Sequence, residues 1–532
     1  MQMPTNLSEM LKLYVHDQQP FGPSDASCIE EPQCAAELFD WYNLAFAELL
    51  KGSHVIIGRR GSGKTTLLRI LSGKQFLNSE LLSSKGIEFR DRYRLSSRTL
   101  TAIPDVVVDA DTPTLVRDLA DVCGDDIPVV EILARKWKCR IWLLIGEAIQ
   151  RSHPDIWDTA SPGVRAYIEH TDLYDKLDKD SSKPILSPDE FIKEMENLLR
   201  KLQKRCVVTF DNMESYRLDD NQNSVLAALC AATGQFINRR ISTLDVKLCL
   251  PSELFGELKN FLFQPDKSLH KKQFLHWNAA ELMHLAAHRL RLFLELNQPD
   301  AHARVKDWQI SDRHILKKFW LQYLPEKIEN SIGITEETFT YILRHTQLLP
   351  RQLLSILNNI AIRFMQRRPN AVLFEEPFIK SDIILGIQDS EQVNKDSILF
   401  MYQVLYPNIQ ELFSLVFPRL KRTISYGELQ SIWQSSAKAL MDGMGKPEFI
   451  QFWRLMLSTG AIGVLQSEFT SNIYEQARFE FNTRHLLQIS DKDKLCVHPM
   501  FSRLYNMEQE ENAKVILPRG SDFRIDEHEQ DR

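Results

Sequence analysis

One octapeptide constrains this chain more than any other feature. Gly58-Arg59-Arg60-Gly61-Ser62-Gly63-Lys64-Thr65 fits the pattern G-x-x-x-x-G-K-[ST] without a gap. It follows the apolar run HVIIG and precedes the amphipathic TTLLRILSG, so strand, tight turn and helix come in the order a phosphate cradle requires. The glycines let backbone N–H groups turn inward on phosphate oxygens, where a Cβ would clash. Lys64 supplies a point charge to the β and γ oxygens, and the Thr65 hydroxyl joins a Mg²⁺ shell. The helix beginning there adds its positive dipole end. Gly58, Arg59, Arg60, Gly61, Ser62, Gly63, Lys64, Thr65 and Thr66 are the expected nucleotide contacts, with ATP and Mg²⁺ as cofactors.

Such a turn needs an acid at the end of a neighbouring strand to hold the magnesium water shell. The apolar run CVVTF (206–210) ends in Asp211-Asn212-Met213-Glu214. Asp211 is the metal-side candidate, together with Thr65, and Glu214 is placed to activate or orient water. A further run, VKLCL (246–250), ends in Pro251-Ser252-Glu253, which makes Ser252 the candidate sensor of a γ-phosphate. PDVVV (104–108) reads as one more strand. Helical periodicity at 113–122, 127–150, 188–202 and 222–238 alternates with these runs, which argues for an α/β fold with a largely parallel sheet. The polar, Pro-punctuated stretch 151–187 reads mostly as an insertion made of loops.

A chain of 532 residues is long for one core. The reading divides it into an N-terminal segment 1–45, a P-loop core 46–272, a helical domain 273–390, a C-terminal domain 391–507 and a charged tail 508–532 expected to be disordered. Lys and Arg number 65 against 71 Asp and Glu, a net charge of −6, so there is no overall basic footprint for nucleic acid. No apolar run approaches the roughly 18 residues of a membrane span, and the first residues lack the flank and core of a secretory signal. Eight scattered cysteines without a CxxC pair fit buried thiols. A soluble, cytoplasmic protein that does not engage a membrane is expected.

GRRGSGKTTLL, the D-N-M-E after an apolar strand and the phrase LRHTQLLPRQLL together resemble AAA+ and STAND-type P-loop ATPases. Within these, the chain looks most like the bacterial branch named for its likeness to origin-recognition initiator ATPases, over roughly residues 45–506. The resemblance implies a P-loop core, a helical lid that closes over the nucleotide and a C-terminal winged helix. It makes Arg351 the sensor-two arginine that reaches the γ-phosphate, with Arg344 and His345 as weaker candidates. Two departures stand out. Asn212 occupies the place where many P-loop ATPases carry a catalytic glutamate. No arginine lies between Arg240 and Arg289, where an arginine finger would fall, leaving Arg239 and Arg240 on the preceding helix.

In the winged-helix reading, 425–440 is the second helix, 446–460 the recognition-position helix, and AIGVLQ with ARFEF the wing carrying Arg478 and Arg484. Residues 397–506 hold 11 Lys and Arg against 9 Asp and Glu, a weak footprint for DNA. Double-stranded DNA and a protein both remain open as partners, as does self-assembly into a nucleotide-dependent oligomer. His284 and His288 share a helix face without a third ligand nearby and read as ordinary histidines. Phe449, Phe452 and Trp453 read as core. The resemblance implies a slowly hydrolysing ATPase switch that couples nucleotide state to assembly or DNA engagement. The alternative is a signalling NTPase of stress or antiphage defence whose winged helix binds protein.

Overall fold

The computed structural model describes residues 6–40, 44–72, 106–123, 130–169, 186–203, 205–211, 220–239, 244–262, 271–403, 405–470, 473–483, 486–505 and 514–522, with 91, 93–94, 269 and 507. Two compact units emerge from the chain's internal contacts. A sheet unit comprises 43–58 and 64–275, and a helical unit comprises 1–42, 59–63 and 276–532.

In the sheet unit, β1 (Val55–Gly58), β2 (Val106–Ala110), β3 (Cys206–Phe210), β4 (Leu244–Pro251) and β5 (Lys272–Phe274) form one sheet in the order β2-β3-β4-β1-β5. Every pairing is parallel. β1 and β3 are buried along their whole length, which is why they read as unbroken apolar runs rather than alternating ones. The helix Val130–Ser152 packs on the helix Asp220–Arg239, and Trp137 joins the layers: its Nε1 donates to Val225 O at 2.9 Å and its ring meets Phe210 edge-on. The helix Pro188–Leu202 begins on a reciprocal cap, Ser187 Oγ accepting from Glu190 N and Glu190 Oε2 from Ser187 N. It delivers the chain directly into β3.

The stretch 151–187 is less loop-like than its prolines suggest. Pro154–Trp157 and Pro162–Glu169 are helical, and each proline stands in the first turn, where its missing N–H has no intrahelical role. Residues 170–185 lie outside the described residues.

The helical unit is built on Ala279–Asn297, Arg313–Trp320, Thr338–Arg344, Pro350–Arg367 and Lys380–Tyr402. A two-stranded hairpin of β6 (Lys327–Glu329) and β7 (Thr335–Glu337) interrupts them, an element the helical reading of 273–390 did not include. Pro350–Arg367 and Lys380–Tyr402 lie against each other at Gly386, where an added Cβ would stand 2.6 Å from the backbone N of Ile360. Lys380–Tyr402 also crosses the boundary placed between 390 and 391 without a break.

Beyond it, Ile409–Val416, Tyr426–Ile432, Lys438–Gly443 and Phe449–Ser458 pack on a second sheet. Its strands are β8 (Thr423–Ser425), β9 (Ile462–Thr470), β10 (Tyr474–Arg478), β11 (Lys494–Val497) and β12 (Val515–Pro518), in the order β12-β10-β9-β11-β8. β12 corrects the expectation for the tail. The four apolar residues VILP, in an otherwise charged segment, are buried and pair parallel to β10. Among the described residues no helix is long and apolar enough to cross a membrane.

Because the Gly386 contact is with backbone rather than with a movable side-chain end, Gly386→Ala must separate the two helices. It should lower stability by about 1–3 kcal/mol, the range for overpacking, read as an earlier denaturation midpoint.

Candidate functional site

The candidate site forms where β1 ends. Gly58 closes the strand, and the helix Lys64–Ser72 starts six residues later. Between them the backbone takes a path open to few residue types: Gly61 has φ +83° and Gly63 φ +99°, both in the left-handed region. Ser62 N donates to Arg59 O at 3.1 Å, tightening the turn. Lys64 is buried, and its Nζ donates to Gly58 O at 3.0 Å, so the ammonium sits at the mouth of its own loop. Ser62 is fully buried, and its Oγ has no hydrogen-bond partner among the described residues. Thr65 and Thr66 follow in the first helical turn, half-buried. Positive-φ glycines, an unused hydroxyl and a lysine at a helix start fit a polyphosphate. When bound with Mg²⁺, such a group would lie on the N–H groups of 61–65, Lys64 and the Thr65 hydroxyl.

Within the helical unit, residues 59–63 are gripped from several elements. Arg351, at the start of Pro350–Arg367, lies directly on Gly61: a Cβ added there would stand 2.9 Å from Arg351 Cβ, and Arg351 N approaches Gly61 O at 3.4 Å. Its Nη2 donates to Asp25 Oδ2 at 2.7 Å, while its buried Nε has no partner among the described residues. Asp25 also accepts from Ser27 N and Ser27 Oγ. Burial alone would push the Asp25 carboxyl up, but the Ser27 amide, Arg351 and the Ser27 hydroxyl outweigh it and hold the group below its usual range.

Arg59 donates to Gln347 Oε1 at 2.7 Å and to the carbonyl of Ser458, and its guanidinium lies over the Phe481 ring. Gln347 passes the link on to Thr459 O at 2.7 Å. Arg60 lies over the Phe400 ring and against Met401 Sδ. Trp277 Nε1 donates to Ser62 O at 2.8 Å. The sequence pointed to Arg351 through the lid phrase. It gave Arg59 and Arg60 to nucleotide and had no signal for Asp25, Gln347, Trp277 or Phe481, whose partners are tens to hundreds of residues away.

In the sheet unit, β4 is the immediate neighbour of β1, with Pro251 opposite Gly58, so Ser252 follows the strand paired with the P-loop strand. Its Oγ lies 3.3 Å from Glu253 Oε2. Asp211 follows directly on β3, one strand further from β1, and is half-buried. The acid strand is therefore not the direct neighbour of the P-loop strand: β4 lies between them. Glu214 and Asn212 lie outside the described residues, as do Arg240 and Arg484. The two weaker lid candidates are engaged elsewhere, Arg344 on Glu336 and His345 on Glu391. His284 Nδ1 lies 3.0 Å from the Asp40 carboxylate and His288 Nε2 2.8 Å from Glu37 O, and no metal-ligand cluster forms among the described residues.

A parallel α/β sheet whose strand opens through two left-handed glycines into a lysine-headed helix defines a P-loop nucleotide-binding fold. No family model matches the sequence, and no curated protein matches it. Among solved structures the chain is similar to the ORC2 protein of Aeropyrum pernix in its ADPNP–ADP complexes. That likeness is 12% in sequence, covers 91% of this chain and 93% of that one, and has a TM-score of 0.37. It is also similar to the Aeropyrum pernix ORC1 protein in complex with DNA, at 13% identity over 81% of this chain and 89% of that one, with a TM-score of 0.29.

Gly61→Ala tests the turn. A left-handed alanine is disfavoured by roughly 1–2 kcal/mol, and its methyl would press on Arg351. The loop should leave the cradle path, weakening binding of a fluorescent ATP analogue by about tenfold with the far-ultraviolet circular dichroism unchanged.

Proposed function

We propose that this protein binds ATP with Mg²⁺ and hydrolyses it slowly, as an AAA+/STAND-type switch whose nucleotide state is coupled to assembly or DNA engagement. The observation that carries this reading is the turn itself: Gly61 and Gly63 at positive φ, Lys64 at the helix start and Arg351 seated on Gly61. In this reading Lys64 and Arg351 neutralise the terminal phosphate, Thr65 and Asp211 hold the magnesium shell, Ser252 senses the γ-phosphate and Glu214 orients water. Catalysis is by positioning and charge rather than by covalent chemistry.

Pro350–Arg367 acts as part of the lid. A third phosphate draws Arg351 from Asp25, and the movement passes to the C-terminal domain through Arg59 and Arg60. That domain is read as a winged helix, with Phe449–Ser458 at the recognition position.

One observation favours the second reading, in which the winged helix meets protein. Of the two cations of the recognition segment, Arg454 is turned inward, donating to Leu487 O at 2.9 Å and Glu480 Oε1 at 3.0 Å, and Lys446 lies over the Tyr406 ring. Phosphate neutralisation by several cations dominates DNA affinity, and this helix has few to offer.

ATP hydrolysis by the purified chain, with and without duplex DNA, tests both readings. Turnover that disappears in Lys64→Ala is expected; activity unchanged by that substitution would remove the P-loop from the mechanism. Stimulation by duplex DNA selects the first reading, and its absence selects the protein-binding switch. Asp25→Asn, which removes the competing carboxylate from Arg351, should raise affinity for ATP more than for ADP, by about three- to tenfold. This follows if breaking a half-exposed pair releases about 1 kcal/mol. Calorimetric titration with each nucleotide measures it.

A further inference from the structure

The chain before the sheet unit is built into the helical unit, and one of its loops ends on the sensor arginine. The helix Leu7–Tyr14 leads to Val15, whose carbonyl accepts from Asn297 Nδ2 at 3.3 Å. Phe21 is fully buried, stacked on Trp320 at 6.3 Å and edge-on to Phe374. Asn358 uses both ends of its amide here: Oδ1 accepts from Phe21 N at 3.1 Å, and Nδ2 donates to Gly22 O at 3.0 Å. Gly22, at φ +68°, is the turn from which the loop departs. The chain is fixed again where Ile29 is buried and Glu30 N donates to Tyr14 Oη at 3.2 Å. Between these anchors, residues 23–28 are half-buried or exposed.

The helix Pro350–Arg367 grips this loop twice. Asn358 holds its base, and Arg351, two turns earlier on the same helix face, holds Asp25 at its tip. The two grips differ in kind. At the base are neutral hydrogen bonds to buried backbone, which stay made unless the anchor itself is pulled out. At the tip is an ion pair whose side chains are 24% exposed at Arg351 and 38% at Asp25, a class of contact that contributes little to stability. Arg351 meets Asp25 through Nη2 alone, and its buried Nε has no partner among the described residues. A terminal phosphate can take Nε and Nη2 together, the two-pronged contact for which a guanidinium is shaped. Carboxylate and phosphate compete for that edge, and the phosphate makes the stronger contact with it.

We propose that loop 23–28 is a latch controlled by the terminal phosphate. It is closed on Arg351 while the P-loop is empty or holds a diphosphate, and it is released when a triphosphate takes the guanidinium. The latch rests on the reading of Arg351 as the residue that meets the terminal phosphate. Release leaves Phe21 and Ile29 seated, so the motion is confined to the residues between them. Nucleotide state thereby gains an output in the N-terminal segment, separate from the route through Arg59 and Arg60 to the C-terminal domain.

Hydrogen exchange of the full chain, read by mass spectrometry on peptides covering 22–31, tests the latch. Exchange is expected to be faster by about threefold or more with Mg²⁺ and a non-hydrolysable ATP analogue than with Mg²⁺ and ADP. The buried amide of Phe21 should keep its protection in both. Asp25→Asn removes the charge that closes the latch, so its loop should exchange at the fast rate without nucleotide. Lys64→Ala should keep the loop at the slow rate with either nucleotide. Calorimetric titration of the same samples separates the latch from the reading beneath it. If both nucleotides bind and the loop exchanges equally with each, the latch is overturned and the P-loop reading stands. If neither binds, the P-loop reading falls and the latch falls with it. Exchange in Asp25→Asn no faster than in the unsubstituted chain also overturns the latch.

Discussion

The five residues Arg59–Gly63 carry the constraint on which the candidate site depends. Two of them must be glycine for backbone reasons, and one of those two must also be glycine because Arg351 occupies the space a methyl would take. Their other contacts, Arg59 to Gln347 and Ser458, Arg60 to Phe400 and Met401, and Ser62 to Trp277, run to elements of the helical unit. A loop this short has no slack, so a change in its path is felt at each of those side chains. That is the physical basis for reading the turn as a switch rather than as a static cradle. In the proposed switch, the arginines at the variable positions of the motif are the handles.

Charge is handled differently in the helical unit's interior. Arg344 with Glu336, Arg503 and His345 with Glu391, and Arg367 with Asp382 pair cations with deeply buried acids. Such pairs add little net stability, because desolvation offsets most of the attraction. What they fix is geometry. The two-pronged contact of Arg344 with Glu336 ties the helix Thr338–Arg344 to β7, and Glu391 ties Lys380–Tyr402 to His345, which caps that helix, and to Pro499–Leu504.

Much of the sheet unit was legible in the sequence. Strands buried on both faces write themselves as apolar runs, and CVVTF appears as the strand Cys206–Phe210 without a shift of end. The helix after Ser187 was legible from its cap. What was not legible has a common cause, which is that local composition does not show the partner an element packs on. Prolines in 151–169 looked like breakers until their place in the first turn was seen. VILP in the tail looked like part of a charged segment, although its strand exists through pairing with β10. Lys380–Tyr402 bridged a boundary placed on a change in pattern.

By itself, the sequence determined the P-loop, because the turn's chemistry resides in eight consecutive residues whose conformational needs are local. It also determined the alternation of apolar strands and amphipathic helices that makes an α/β sheet, since hydrophobic periodicity is a property of each segment alone. Tertiary structure decided that β4 separates the acid strand from β1, that Arg351 lies on Gly61 while Asp25 holds its guanidinium, and that Glu391 meets both His345 and Arg503. These are juxtapositions of residues far apart along the chain. They follow from how whole elements pack, and no window of sequence contains them.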